Sequence, residues 1–290
     1  MNKIVVIIGP TGVGKTKLSI SLAKYLDAVV INADSMQVYR NLNIGTAKIK
    51  ESEKEGIKHY LFDICDIEEE YNIYKYQKDG RKLLDKFQKE GKNVVLVGGS
   101  GLYIKSLLYD YKFQEEEYKE AYENLTNQEL LEEIKKYHET DIHVNNRKRL
   151  IRELNKIKNN NQIKSDIHKK LYNFLLIGLT CDREKLYKIV DKRVDLMIED
   201  GLIEEVKALY EKGINSKAMQ TGIGYKELYS YFKGDISLEE AVKLIKKNTR
   251  HFIKRQYTFF KHQMDVTWLN VDFSNFEHTI NEAIKIVDSY

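Results

Sequence analysis

Residues 9–16 read G-P-T-G-V-G-K-T, and they have the types and spacing needed to bind phosphate. Glycine permits a tight turn that aims backbone N–H groups at one anion, and a following helix adds the partial positive charge of its N-terminus. Lys15 is placed to neutralise phosphate oxygens, and the Thr16 hydroxyl is placed to ligate Mg²⁺. The predicted phosphate-binding residues are Gly9, Pro10, Thr11, Gly12, Val13, Gly14, Lys15 and Thr16.

Two polar residues at the ends of apolar runs are candidates for further chemistry. Asp34 follows the run 28–31, and Ser100 follows the run 94–97 in a glycine-rich turn. Because parallel strands converge on one ligand crevice, both should lie near the phosphate loop. Asp34 is then a general base, a Mg²⁺ partner or a helix N-cap, and Ser100 is a ligand contact or part of a plain turn. The run 94–97 ends without the carboxylate that an NTPase uses to hold Mg²⁺.

Two basic segments, 147–152 and 246–262, are candidates for contact with nucleic-acid phosphates. The second has six Lys or Arg residues and no acid, and aromatic residues interleave with them. Arg250, Lys254 and Arg255 point to one side of a predicted helix, where they would contact phosphates or form a solvated surface. The aromatic residues favour the buried face of a core helix over base stacking.

The elements that must position these residues follow from hydrophobic patterning. Apolar, mostly β-branched runs typical of strands buried on both faces occur at 4–8, 28–31, 94–97, 174–177 and 266–269. Helical periods lie between them, and this alternation predicts an α/β fold with a doubly wound parallel sheet. Two long helices are predicted at 183–212 and 237–262, and Ser237 with Glu240 forms a capping-box pattern at the start of the second.

Residues 111–166 interrupt the alternation, because they contain no convincing strand and their charge is segregated. An acidic stretch at 115–141 precedes a basic stretch at 143–158. This segment is predicted to be a helical insertion, and residues 1–110 with 167–290 are predicted to form the catalytic core.

Composition excludes several classes of protein. The 290 residues carry a formal net charge of +4 and a single Pro, so a globular fold with only local basic clusters is expected. Cys65 and Cys181 lie far apart and the histidines are scattered, which disfavours a disulfide framework or a zinc site. The run 4–8 is too short for a signal peptide or membrane span. A cytoplasmic protein with no membrane contact is predicted.

The ordered motifs together resemble one family, the tRNA dimethylallyltransferases, also called tRNA isopentenyltransferases. The phosphate loop alone is shared with many activities, whereas the ordered set is specific and spans nearly the whole chain. The matching stretches are residues 9–16, 32–39, 44–48, 59–64, 98–103, 201–206, 223–227 and 254–256. The resemblance implies a P-loop NTPase-like sheet whose helical insertion binds tRNA.

The resemblance also implies a reaction, in which a dimethylallyl group passes from dimethylallyl diphosphate to tRNA with Mg²⁺ as cofactor. The acceptor would be the exocyclic amine of the adenosine just 3′ of the anticodon, in the anticodon stem-loop, and this base must leave its stack to react. Asp34 matches the family's general base. Ser100 stands where the family has a Thr that hydrogen-bonds the bridging oxygen of the departing diphosphate, and Lys15 would complete the catalytic set. A monomer is expected.

The residues implied to contact tRNA are Asp34, Ser35, Met36, Gln37, Ser100, Lys148, Arg149, Leu150, Ile151, Arg152, Arg250, Lys254 and Arg255. The sequence departs from the family pattern at three places. Ser replaces Thr at position 100, the run 220–223 is one residue longer, and the run 143–147 lacks the usual Pro and Asp. These departures concern the grip on tRNA more than the chemistry.

Three other functions compete with this interpretation. A small-molecule P-loop kinase would use ATP, a second prenyltransferase would modify free adenine nucleotide, and a third protein would bind RNA without catalysis. The basic segments disfavour the first two, because small substrates do not need them. Asp34 and Ser100 at strand ends disfavour the third.

Overall fold

A computed structural model of the chain describes residues 2–113, 122, 124–158 and 166–290. The chain divides into two compact units, of which the first comprises Met1–Tyr109 and Lys170–Tyr290 and the second Asp110–Lys169. No helix within the described ranges is long and apolar enough to cross a bilayer.

The first unit is organised by a six-stranded sheet in the order β3-β2-β4-β1-β5-β6, and every neighbouring pair of strands is parallel. The strands are β1 (Ile4–Ile8), β2 (Ala28–Asn32), β3 (His59–Tyr60), β4 (Asn93–Val97), β5 (Leu175–Thr180) and β6 (Thr267–Asn270). The central strand β1 is buried at every residue. The predicted doubly wound α/β fold is therefore confirmed, although β3, an edge strand of two residues, is too short to show a periodicity.

Helices cover both faces of this sheet and bury one apolar cluster on each. They are α1 (Lys15–Tyr25), α2 (Ile73–Lys89), α3 (Gly101–Leu108), α6 (Arg183–Glu199), α10 (Leu238–Gln263) and α11 (Phe276–Asp288). Leu84 of α2 and Leu107 of α3 belong to one cluster, whereas Leu18 of α1 and Val190 of α6 belong to the other. Side chains of α10 enter both clusters, because Ile253 and Phe260 lie about two turns apart along one face of this helix.

The single helix predicted over 183–212 is wrong. Helix α6 ends at Glu199, and a second helix, α7 (Leu202–Glu211), begins after Gly201. Gly201 has φ of 102°, a left-handed conformation that glycine adopts without strain, and this residue redirects the chain. The helix predicted over 237–262 is confirmed as α10, and Ser237 and Glu240 form the predicted capping box.

Helix α7 packs with two shorter helices, α8 (Lys217–Thr221) and α9 (Tyr225–Phe232), around a third apolar cluster. Leu202, Val206 and Leu228 are fully buried in this cluster. Val38 and Leu42, from the long connection that follows β2, are fully buried there as well. The first part of the connection between β2 and β3 is therefore anchored in the protein interior.

The second unit contains helices α4 (Asn127–Lys135) and α5 (Arg147–Lys158) and has its own core. Leu150 and Ile151 of α5 are buried in that core, so their side chains stabilise the unit, and a tRNA contact in this stretch would fall to its exposed residues. Arg147 is also engaged internally, since its guanidinium donates to the carbonyls of Leu125 and Tyr122 at 2.6 and 2.7 Å. The remainder of the predicted insertion, 114–121, 123 and 159–165, lies outside the described residues.

Candidate active site

The carboxyl ends of the strands open into a cavity of about 1020 Å³ in the first unit. The predicted residues that line it are Thr11, Gly12, Gly14, Lys15, Thr16, Asp34, Ser35, Met36, Gln37, Ser100 and Arg255. The remaining loop residues, Gly9, Pro10 and Val13, are buried and do not line the cavity. Direct contact with a ligand in the cavity therefore comes from Thr11, Gly12, Gly14, Lys15 and Thr16.

The phosphate loop joins β1 to α1 and turns through three glycines with positive φ, at positions 9, 12 and 14. A Cβ on Gly9 would lie 2.7 Å from the carbonyl oxygen of Leu179, and one on Gly14 would lie 2.5 Å from the ring of Phe276. Both the conformation and the packing therefore require glycine. Gly14 is the N-cap of α1 and has no side chain to occupy the first N–H groups of the helix, which stay open to an anion.

Lys15 is the principal cation of the loop. Its Nζ donates to the carbonyl oxygen of Pro10 at 2.7 Å, which holds the side chain against the loop. The pKa of Lys15 is lowered from 10.5 to about 8, chiefly by burial; the Asp34 carboxylate opposes this shift and the neighbouring Arg193 adds to it. A bound phosphate would place a negative charge beside this desolvated ammonium and stabilise its charged form.

Arg193 is a functional candidate that the sequence analysis missed. It extends from α6, and its Nη1 lies 3.4 Å from the Thr11 hydroxyl. Burial lowers the pKa of Arg193, and Asp34 opposes this shift. Because β5 pairs with β1, the helix that follows β5 lies beside the phosphate loop. Strand order is a long-range property, so no local signal identified this residue.

Asp34 and Ser100 lie on neighbouring turns, after β2 and β4. The Asp34 Oδ1 atom accepts a hydrogen bond from the Met36 N–H at 2.9 Å, and no helix of the described chain begins there, so the helix N-cap alternative is wrong. The Ser100 Oγ accepts from the Ser35 N–H at 3.0 Å. A Cβ on Gly98 would lie 2.1 Å from the carbonyl oxygen of Ala33, so glycine is needed for the two turns to meet.

Gln256 of α10 links the Ser100 turn to the phosphate loop. Its Oε1 accepts from the Thr11 N–H at 3.3 Å, and its Nε2 donates to the Gly99 carbonyl at 3.1 Å. The side chain is buried, so one amide fixes the separation between the loop and the turn that carries Ser100. The sequence analysis interpreted the neighbouring Lys254 and Arg255 as tRNA contacts and gave Gln256 no role. Gln256 lies on the apolar face of α10, with Ile253 and Phe260, and this position could have predicted its burial.

The predicted cations outside the loop have different environments. Arg250 forms an ion pair with Asp191 of α6 at 2.5 Å, so its charge is largely neutralised within the protein. Lys254 is exposed, and the Arg255 guanidinium lies 5.7 Å from the Phe252 ring centroid at the cavity. In the second unit, Lys148, Arg149 and Arg152 are exposed on α5.

Comparison with known proteins identifies the family. The model of the IPP transferase family matches residues 37–263, which is most of the chain. The chain belongs to the IPP transferase family. A tRNA dimethylallyltransferase of Anoxybacillus flavithermus is 44% identical to it, with 99% of this chain and 96% of the relative covered. The tRNA dimethylallyltransferase of Bacillus mycoides is 46% identical, with 93% and 90% covered.

Solved structures agree with this IPP transferase assignment. A tRNA isopentenylpyrophosphate transferase of Staphylococcus epidermidis is 39% identical, covers 100% of this chain and 99% of its own, and superposes with a TM-score of 0.77. A eukaryotic dimethylallyltransferase acting on tRNA is 26% identical, with 98% and 78% covered and a TM-score of 0.82. Members of this family are prenyltransferases, so the kinase and the non-catalytic binder are disfavoured as interpretations.

Proposed function

We propose that this chain transfers the dimethylallyl group of dimethylallyl diphosphate to the exocyclic amine of the tRNA adenosine just 3′ of the anticodon. The observation that carries the proposal is one cavity that joins an open phosphate loop to an accessible carboxylate, Asp34. The names of the relatives support dimethylallyl transfer to tRNA. The cavity is built from one unit of one chain, which supports action as a monomer, and tRNA as substrate supports a cytoplasmic location.

The diphosphate would lie on the phosphate loop. Loop N–H groups, Lys15 and Arg193 would stabilise the charge that builds on the departing diphosphate oxygens. Removal of the leaving group from an allylic carbon requires charge stabilisation and little else, so the cationic loop meets the main requirement of this half of the reaction.

Mg²⁺ fits the same end of the cavity. The Thr16 hydroxyl lines it, and hydroxyl oxygens are ligands of this hard cation. Within the described ranges no group of three or more His, Cys, Asp or Glu side chains is placed to hold a metal, so most ligands would come from diphosphate and water. When bound, the ion would neutralise negative charge on the leaving group.

The acceptor half of the reaction would centre on Asp34. The adenosine nitrogen attacks C1 of the allylic chain, the bond from C1 to the bridging oxygen breaks, and its electron pair leaves with diphosphate. The amine proton passes to the Asp34 carboxylate, which is the proton acceptor at this end of the cavity. The Ser100 Oγ accepts from the Ser35 N–H and donates to the Ser35 Oγ at 3.3 Å. Its hydroxyl proton would turn from Ser35 to the bridging oxygen when the diphosphate is bound.

Contacts with RNA would come from cations and from the turn after β2. Ser35, Met36 and Gln37 line the cavity beside Asp34 and would surround the extruded base. The exposed cations that would contact phosphates are Lys148, Arg149 and Arg152 on α5 and Lys254 and Arg255 on α10.

The test is to incubate the chain with tRNA, labelled dimethylallyl diphosphate and Mg²⁺, without ATP. The proposal predicts label in the RNA, and the Asp34→Asn variant should lose most of this transfer. A parallel reaction with adenosine monophosphate separates the second prenyltransferase, which would label the free nucleotide. A requirement for ATP, or the absence of label from tRNA, would contradict the proposal.

A further inference from the structure

Two segments away from the phosphate loop form part of the cavity lining, residues 45–47 and residues 221–226, here called the acceptor wall. The first belongs to the connection between β2 and β3, and the second runs from the end of α8 into α9. Neither segment is held by the sheet. Their positions must therefore be fixed by other contacts.

Glu205 of α7 supplies those contacts, although it does not itself line the cavity. Its Oε2 accepts hydrogen bonds from the N–H groups of Asn43 and Ile44 at 3.0 and 2.8 Å. Its Oε1 accepts from the Gly45 N–H at 3.2 Å and from the Tyr225 hydroxyl at 2.7 Å. A carboxylate has about four acceptor positions, so this arrangement uses its full capacity.

The two segments of the acceptor wall pack directly against one another. A Cβ on Gly45 would lie 2.6 Å from the Tyr225 ring, so the backbone at position 45 is packed directly on that side chain. Burial raises the pKa of Tyr225 well above its ordinary value, and the nearby Glu205 carboxylate adds to this effect, so the hydroxyl remains a donor. Glu205 thus closes both segments of the acceptor wall onto one another.

The acceptor wall supports the residues that would meet the adenosine. The Gln37 Nε2 donates to the Thr46 carbonyl at 3.0 Å. A Cβ on Gly222 would lie 2.7 Å from the Met36 Cε, so Met36 rests on the second segment. By contrast, the phosphate loop packs on Leu179, Val190 and Phe276, none of which bonds to Glu205. The two ends of the cavity have separate supports.

We propose that Glu205 is a positioning residue for the RNA acceptor: it holds the acceptor wall, and through it the turn 34–37, in the shape that receives the extruded base. The proposal rests on the proposed function, since it takes tRNA as the acceptor. A glutamate that merely stabilised the fold would affect both substrates equally. Substitution of a residue that positions the acceptor should change the binding of tRNA alone.

The test uses Glu205→Gln with Glu204→Gln as the matched control. The amide keeps one acceptor oxygen but turns an NH₂ group toward partners that are themselves donors. Glu204 lies in the same first turn of α7 and is exposed, so its substitution removes the same charge without these bonds. Glu205→Gln should weaken direct tRNA binding and raise the KM for tRNA about tenfold or more. The affinity for dimethylallyl diphosphate should stay within about twofold of the parent.

Tyr225→Phe is the second variant, because Glu205→Gln could fail to fold. It removes one of the four donors, and a smaller loss of tRNA affinity in the same direction is expected. Equal losses for both substrates, a loss for the diphosphate alone, or tRNA affinity equal to that of Glu204→Gln would overturn the proposal. A parent chain that binds tRNA but transfers no label would contradict the proposed function and leave the binding comparison intact.

Discussion

The two ends of the cavity are constructed differently. The phosphate loop is one continuous run, 9–16, whose glycines and open helix N-terminus create an anion site largely from backbone. The acceptor wall joins segments that lie almost 180 residues apart and are connected by side-chain bonds to Glu205. The phosphate loop should therefore keep its shape when residues outside it are substituted. The acceptor wall should lose its shape when a hydrogen bond to Glu205 is removed. Substitutions at the phosphate loop should therefore weaken binding of dimethylallyl diphosphate, and substitutions at the acceptor wall should weaken binding of tRNA. Substitution of Asp34 should lower the transfer rate without changing either affinity.

The largest effect is expected for Asp34→Asn. Asn is nearly the same size and can still accept a hydrogen bond from the Met36 N–H, but it cannot take the amine proton. The single-turnover transfer rate should fall by roughly 10²- to 10⁴-fold, the usual contribution of a positioned base. Affinity for both substrates should stay near that of the parent. A rate within a few-fold of the parent would make Asp34 a turn residue only.

Lys15→Ala should act on the phosphate end alone. Loss of a charged hydrogen bond to diphosphate should weaken dimethylallyl diphosphate binding by about 10- to 100-fold, and tRNA affinity should not change. Because burial disfavours the ammonium, its removal should not lower the thermal midpoint. Lys24→Ala, at the exposed end of the same helix, is the control. Parallel losses of diphosphate and tRNA affinity in Lys15→Ala would break the distinction between the two ends.

The pH dependence of diphosphate binding sharpens the same point. Lys15 carries its charge below its pKa of about 8 and loses it as pH rises above that value. Diphosphate affinity should therefore be greatest below about pH 8 and fall by up to tenfold per pH unit above it. Titration calorimetry from pH 7 to 9.5 measures this slope, which should disappear in Lys15→Ala. An equal slope in that variant would assign the titration to another group.

The smallest effects are expected at the exposed cations. Lys254→Ala and Arg149→Ala should each lower the slope of log tRNA affinity against log salt by about one, if each contacts one phosphate. Arg250→Ala should change the slope less, because Asp191 already pairs with that guanidinium. Affinity measured at four or five salt concentrations tests all three variants. Equal slopes for Lys254→Ala and the parent would show that Lys254 is solvated surface.

The features that the sequence predicted are those coded by neighbouring residues. The loop 9–16, the strands and the capping box at Ser237 depend on local spacing, and the structure has all of them, although β6 is an edge strand with no buried residue. The sequence also predicted that Asp34 and Ser100 lie close together, because parallel strands end at one edge of a sheet. The break between α6 and α7 could also have been predicted, because Gly201 follows two acidic residues and glycine commonly ends a helix. The prediction of one long helix did not use this glycine.

The features that were missed depend on tertiary neighbours. Arg193 reaches the phosphate loop because β5 lies beside β1, and nothing near position 193 encodes that pairing. Glu205 lies in a stretch that resembles the family, but its bonds to Asn43–Gly45 and Tyr225 exist only in the folded chain. Residues 148–152 match a tRNA-contacting stretch of the family, and the two apolar side chains of this stretch, Leu150 and Ile151, are buried in the core of the second unit.

The central claim is that one cavity couples departure of diphosphate to modification of a tRNA adenosine. The most direct measurement follows both products in one reaction, with released diphosphate quantified beside the modified nucleoside recovered from digested tRNA. The account predicts one diphosphate per modified adenosine, with the dimethylallyl group on the exocyclic nitrogen of the base just 3′ of the anticodon. Diphosphate release without modified adenosine, or modification at a different base, would contradict it.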